Sequence, residues 1–129
     1  MKIWNKIPIK ERGDRLIDIP SYFKFVNPHP YFFLGAPYKD LNSIWKLREE
    51  VVKRLIRVND YLKLKNNGFC LLIYDSWRPL EVQEFMFKRA FGSECRKLEI
   101  DPLLNNMQSY PHILKKVEKF WAYPSFDKK

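Results

Sequence analysis

Six consecutive residues without a charge, Phe69-Cys70-Leu71-Leu72-Ile73-Tyr74, run straight into Asp75-Ser76-Trp77-Arg78-Pro79. This junction limits the architecture more than any other segment. A run of that length suits a strand, and its lack of polar alternation predicts a strand covered on both faces. Beyond it, Val82, Phe85, Met86 and Ala90 recur at helical spacing. Asp75 or Ser76 can cap that helix, and Pro79 is tolerated in its first turn, where the missing N–H has no partner to lose. Gly92 marks its expected end.

Upstream, Asn42 or Ser43 can cap a second helix, with Ile44, Leu47, Val51, Leu55, Val58 and Leu62 as its apolar stripe. Asn66-Asn67-Gly68 then turns the chain, because Gly and Asn accept the left-handed backbone that closes a helix. Earlier still, Ile7 to Tyr38 holds Pro8, Pro20, Pro28, Pro30 and Pro37 among many aromatics. Proline blocks helix and removes a donor, so extended segments and turns packed by rings are expected there. Downstream, Asp101-Pro102 and Asn105-Asn106 mark turns. A last helix is expected from His112 to Trp121, followed by extended Tyr123-Pro124-Ser125-Phe126. A long helix before and another after one clear strand give an α+β fold, a small sheet with packed helices, over a single domain spanning 1–129.

Length supports one core and no more: 129 residues, 46% hydrophobic and 16% aromatic. Met1 to Lys10 alternates charge and apolar residues and lacks the run of about seven apolar residues that a secretory signal needs. A cytoplasmic protein without membrane segments is therefore expected. Cys70 and Cys95 are far apart without Cys-x-x-Cys spacing and read as two reduced, partly buried thiols. The net charge of +9 brings nucleic acid into consideration. Lys and Arg, however, recur along the whole chain interleaved with Glu, which argues against a dedicated nucleic-acid surface.

Arg78 is the residue the pattern singles out. A strand end opening into a helix places a side chain at the sheet rim, where ligands bind in open α/β sheets, and its forked donors suit carboxylates and oxyanions. The local alternative is an ordinary ion pair with Asp75 or Glu81. His29 and His112 each follow a proline and lack a second ligand at helical spacing, so turn or surface positions are expected for both. Glu49-Glu50 and Glu81/Glu84 read as solvated, or as partners of Lys53, Arg54 and Lys88. No phosphate loop, Gly-x-Ser-x-Gly turn or Cys/His dyad signature is present.

The segment Gly68 to Pro79 resembles the strand and Asp-x-Tyr-Arg-Pro motif of the D-alanyl-D-alanine dipeptidases, zinc peptidases of cell-wall precursor metabolism. Pro28-His29-Pro30-Tyr31, Leu34-Gly35-Ala36-Pro37-Tyr38, Ile44 to Leu62 and Val82-Gln83-Glu84-Phe85-Met86 resemble one branch of that family in order and spacing. Phe120-Trp121-Ala122-Tyr123-Pro124-Ser125 resembles the stretch preceding the family's first zinc segment. Trp77 departs from the usual Tyr and loses a hydroxyl.

The resemblance implies a metallopeptidase in which Ser-x-His-x-x-Gly-x-x-x-Asp and Glu-x-x-His segments supply the zinc ligands and the base, while the motif arginine stabilises the oxyanion. Only Arg78 can be carried onto this sequence. A catalytic zinc takes about three protein ligands, so no metal site and no cofactor are expected for this chain alone. The resulting expectation is the N-terminal portion of such a domain, inactive in isolation and shortened by a frameshift, a stop codon or a split reading frame. One alternative is half of a split dipeptidase that needs a complementary C-terminal chain before it can take a small dipeptide. Another is a non-enzymatic, basic nucleic-acid-binding protein. If sheet neighbours lie in another polypeptide stretch, the strand at 69–74 is expected to expose an unpaired edge and an apolar face.

Overall fold

The computed structural model describes residues 7–8, 10, 12–65, 68–102 and 107–123. The expected turns at Asn66-Asn67 and Asn105-Asn106, the extended Pro124-Ser125-Phe126 and most of Met1 to Lys10 lie outside the described residues. In chain order the elements are β1 (Leu16–Asp18), β2 (Lys24–Phe25), α1 (Pro30–Phe33), a 3-10 turn (Leu41–Ser43), β3 (Lys46–Arg48), α2 (Glu49–Lys65), β4 (Leu72–Ile73), α3 (Leu80–Arg96), a second 3-10 turn (Met107–Ser109) and α4 (Pro111–Val117). The α+β class holds, but the described strands form two separate pairs. β1 pairs antiparallel with β3, and β2 pairs parallel with β4.

The helix expected from Ile44 begins five residues later, at Glu49. Asp40 accepts the Ser43 N–H at 2.7 Å and winds Leu41–Ser43 into the 3-10 turn. Lys46–Arg48 is then drawn into strand by β1, with Ile17 opposite Leu47 and the Ile19 N–H donating to Trp45 O at 2.9 Å. Ile44 and Leu47 are therefore core residues of a turn and a strand. In α2 the buried positions are Val52 and Asn59, flanked by Leu55 and Ile56, while Val51 and Val58 are exposed. The expected stripe is displaced by one residue at those positions, about 100° of rotation on a helix of 3.6 residues per turn. Acidic Glu49 and Glu50 open α2 and basic Lys63 and Lys65 close it, the arrangement the helix dipole favours.

β4 is also shorter and less covered than its sequence predicts. Ile73 is buried against Ile19, Phe23 and Val52, but Leu72 points outward, as do Phe69 and Tyr74. One face of the strand is in the core, and the other is open. Asn59, buried in α2, accepts the Leu71 N–H at 3.0 Å and ties the approach to β4 onto the helix.

α3 joins two core clusters. Val82 and Met86 pack with Ala36, Tyr38 and Ile44, while Phe87, Phe91 and Cys95 pack with Ile113 and Val117 of α4. Gly92 does not end α3. It sits buried in the helix facing Pro102, and α3 continues to Arg96. Neither Asp75 nor Ser76 caps α3. The N-cap is Pro79, without a side-chain bond, and Ser76 Oγ instead donates to Ile44 O at 2.6 Å. α4 starts on Pro111 and stops at Val117, short of the expected Trp121. Of the thiols, Cys95 is buried and Cys70 exposed, both unpaired, so only Cys95 fits the partly buried reading. Glu49 and Glu50 pair with Lys53, and Glu84 pairs with Lys88, as the helical spacing predicts. No described helix is long and apolar enough to cross a membrane.

Candidate functional site around Arg78

Arg78 precedes a proline, which disfavours helical backbone at that position. It therefore stands in the extended segment between β4 and α3 rather than on the helix. Its Nη2 donates to Asp75 Oδ2 and its Nη1 to Gln83 Oε1 at 2.9 Å. Gln83 in turn donates through Nε2 to Ala122 O at 2.7 Å, fastening the segment after α4 over the site. The guanidinium packs on the rings of Tyr31 (4.8 Å to the centroid) and Trp121 (5.4 Å), which meet each other edge-on at 5.6 Å. Such contacts contribute about 0.5–2 kcal/mol each and orient the cation.

The Arg78 side chain keeps 28% of its surface accessible. A guanidinium carries two N–H groups on each Nη, so the bonds to Asp75 and Gln83 leave one on each. Burial opposes the charge, yet the hydrogen bond and charge of Asp75 outweigh it and raise the Arg78 pKa. The local reading of Arg78 as an ion-pair partner is thus realised with Asp75. The same pair holds a reachable cation in a fixed orientation at the carboxyl end of β4.

His29 lies in the turn before α1, one of the two places expected for it, but not at the surface. It is 3% exposed and ringed edge-on by Tyr31, Tyr38 and Trp45. Its Nδ1 accepts the Phe32 N–H at 3.2 Å and caps α1, while Nε2 lies 3.3 Å from Asp75 Oδ1. A nitrogen that accepts a backbone N–H carries no proton, which assigns the neutral tautomer with hydrogen on Nε2, donated to Asp75. Burial lowers the His29 pKa, with Arg78 adding to the effect and Asp75 opposing it. A line of hydrogen bonds therefore runs from the Phe32 amide through His29 and Asp75 to Arg78. The sequence offered one signal for it, a histidine between two prolines, but its partner is 46 residues away.

Two buried polar atoms here have no hydrogen-bond partner among the described residues, Arg78 Nε and the Tyr38 hydroxyl. Burial and the neighbouring Asp75 charge raise the Tyr38 pKa, so the phenol stays protonated. Unmade hydrogen bonds cost about 1–3 kcal/mol each, and both lie in this one cluster.

His112 is exposed, with its ring against Tyr110, and makes none of the contacts described at Arg78. Zinc finds no fitting donor set among the described residues. No three His, Cys, Asp or Glu side chains converge, both His29 nitrogens are engaged, and each Asp75 oxygen already has a partner.

The described α+β unit carries Arg78 at the carboxyl end of β4, and the chain is similar in sequence to a D-alanyl-D-alanine dipeptidase. That relative is the D-alanyl-D-alanine dipeptidase of Synechocystis sp. (strain ATCC 27184 / PCC 6803 / Kazusa), 29% identical over 126 residues. The similarity takes in 97% of this chain and 51% of the relative, so the chain spans about half the length of the dipeptidase it matches. No protein-family profile and no solved structure matches the chain.

Proposed function

We propose that this chain supplies the arginine side of a D-alanyl-D-alanine dipeptidase-type site. Arg78 is its oxyanion-stabilising residue, and the metal-binding side comes from polypeptide outside these residues. The observation that carries the reading is the fixing of Arg78 by Asp75, Gln83, Tyr31 and Trp121 while part of its donor fork stays reachable. An arginine held this way needs little reorganisation when negative charge develops on a carbonyl oxygen, which is the condition for electrostatic stabilisation. Similarity to the Synechocystis dipeptidase supports the same chemistry.

Asp75 tempers the positive potential, and neutral His29 adds no charge of its own. The pair therefore binds a dipeptide carboxylate or carbonyl weakly until other groups join. Hydrolysis by these residues alone is not expected, because the about three ligands that a water-activating zinc takes do not converge among the described residues.

Titration with D-alanyl-D-alanine, followed through the NMR signals of the Arg78 side chain and, in the variant as well, of the neighbouring Trp121 indole, tests the reading. Shifts at Arg78 are expected, with affinity about tenfold to a hundredfold weaker in Arg78→Ala, the range that a charged hydrogen bond of about 1.5–3 kcal/mol sets. Saturating dipeptide that leaves Arg78 unmoved would dispose of it. Turnover by the purified chain in added zinc, or one tightly held zinc per chain, would overturn the division between the two sides.

A further inference from the structure

β4 has one strand neighbour among the described residues and one open face. Ile73 O accepts the Val26 N–H at 2.9 Å, so the polar groups of Ile73 point toward β2. Strand alternation then turns the N–H and C=O of Leu72 and Tyr74 to the opposite edge. The side chains of Leu72 and Tyr74, which share the outer face by alternation, are uncovered at 61% and 56% exposure, and Phe69, ahead of the strand, is 68% exposed. An unpaired edge beside an apolar face is a ready template for strand addition.

The edge also leads into the site. Tyr74 meets Tyr31 edge-on at 6.3 Å, and Tyr31 packs on the Arg78 guanidinium. A strand laid along β4 therefore emerges beside Arg78. Resting on the dipeptidase reading, we propose that this edge and face are a docking surface. Its occupant is a β-strand from the part of the dipeptidase sequence that the chain's similarity does not cover.

Two facts favour that occupant over a second copy. About half of the relative's length has no counterpart in these residues. Each copy carries a net charge of +9, so self-association brings like charges together.

The test joins the chain, through a flexible linker, to the portion of the Synechocystis dipeptidase beyond the matched residues, so that association is intramolecular. Amide hydrogen exchange at Leu72 and Tyr74 is read in the fusion and in the unfused chain. Both amides are expected to exchange fast in the unfused chain and to slow about tenfold or more in the fusion, the factor that about 1.4 kcal/mol of pairing gives. Leu72→Lys, a change on an exposed side chain, and Leu72→Pro, which removes the edge N–H and leaves Tyr74 as the amide read, should each abolish the slowing. Unchanged exchange in the fusion overturns the proposal, and so does slow exchange in a monomeric unfused chain. Concentration-dependent protection in the unfused chain assigns the surface to a second copy instead and overturns the occupant. Dipeptide binding at Arg78 in the unfused chain is measured independently, so failure of the docking surface and failure of the site reading are told apart.

Discussion

His29 Nε2 donates to Asp75 Oδ1 across 3.3 Å, joining the turn before α1 to the segment after β4. Asp75 is thereby held from two sides, by a neutral imidazole on one oxygen and by Arg78 on the other. The imidazole can fill this place in one protonation state only. A proton on Nδ1 would eject the Phe32 N–H from its acceptor and put a second cation near Arg78.

Stability should therefore fall as the solution is acidified through the histidine range. His29 has a folded pKa below its ordinary 6.5. In the interval between the two values the unfolded chain binds the proton and the folded chain does not, so stability rises with pH there. The contribution is complete above pH 6.5, declines as pH falls from 6.5 toward the lowered folded pKa, and is lost below it. Urea midpoints measured from pH 7.5 to 5 should show the decline, and His29→Gln, which does not titrate, should flatten it. Equal slopes in both proteins would remove His29 as the cause.

Burial sets the direction of the His29 shift, and Arg78 should contribute to it from across the carboxylate. Its charge lowers the His29 pKa, whereas Asp75 raises it. Arg78→Met, which keeps the stem without the charge, should move the His29 pKa upward, and Asp75→Asn should move it downward. NMR titration of the imidazole signals reads both shifts. Shifts of the same sign in the two variants would contradict the proposed line of bonds.

The part of the site that is local in sequence is legible before folding, because Arg78-Pro79 at the end of an apolar run already fixes an extended arginine at a strand's edge. His29 was not legible, since nothing near it announces Asp75, and a buried neutral histidine looks like an exposed one in a pattern of prolines. The phase of α2 failed for a similar reason. Asp40 takes the Ser43 amide, and β1, some 30 residues upstream, claims Lys46–Arg48, contacts with an energy that local periodicity does not contain. The α+β class survived because it depends on the number and kind of segments rather than on their boundaries. The uncovered face of Leu72 was expected only on the condition that its neighbours lie elsewhere in the polypeptide.

Asn59 should matter more than a polar residue on a helix ordinarily does. It is the buried acceptor for the Leu71 amide and the hydrogen bond that sets β4 against α2. Asn59→Leu keeps approximate volume but leaves that N–H unpaired, at a cost of about 1–3 kcal/mol. Denaturant unfolding should register the loss, and exchange of the Leu71 amide should accelerate at the same time. A stability loss without faster exchange at Leu71 would place the effect in core packing instead.

Gly92 offers a change in the other direction. It lies inside α3 with helical backbone, and an added Cβ would meet Arg96 Nη1 at 3.4 Å and Pro102 Cβ and Cγ at 3.8 Å, ordinary contact distances. The nearest atom ends a flexible side chain and can yield. Alanine also removes conformational freedom from the unfolded chain, so Gly92→Ala should stabilise by about 0.5–1 kcal/mol. Gly68, at φ +94°, has open space around it, yet its backbone is one that L-residues avoid. Gly68→Ala should therefore destabilise although it clashes with nothing. Comparing the two midpoints separates the effect of space from that of backbone: if both variants lose stability equally, the Pro102 approach is tighter than its distances imply.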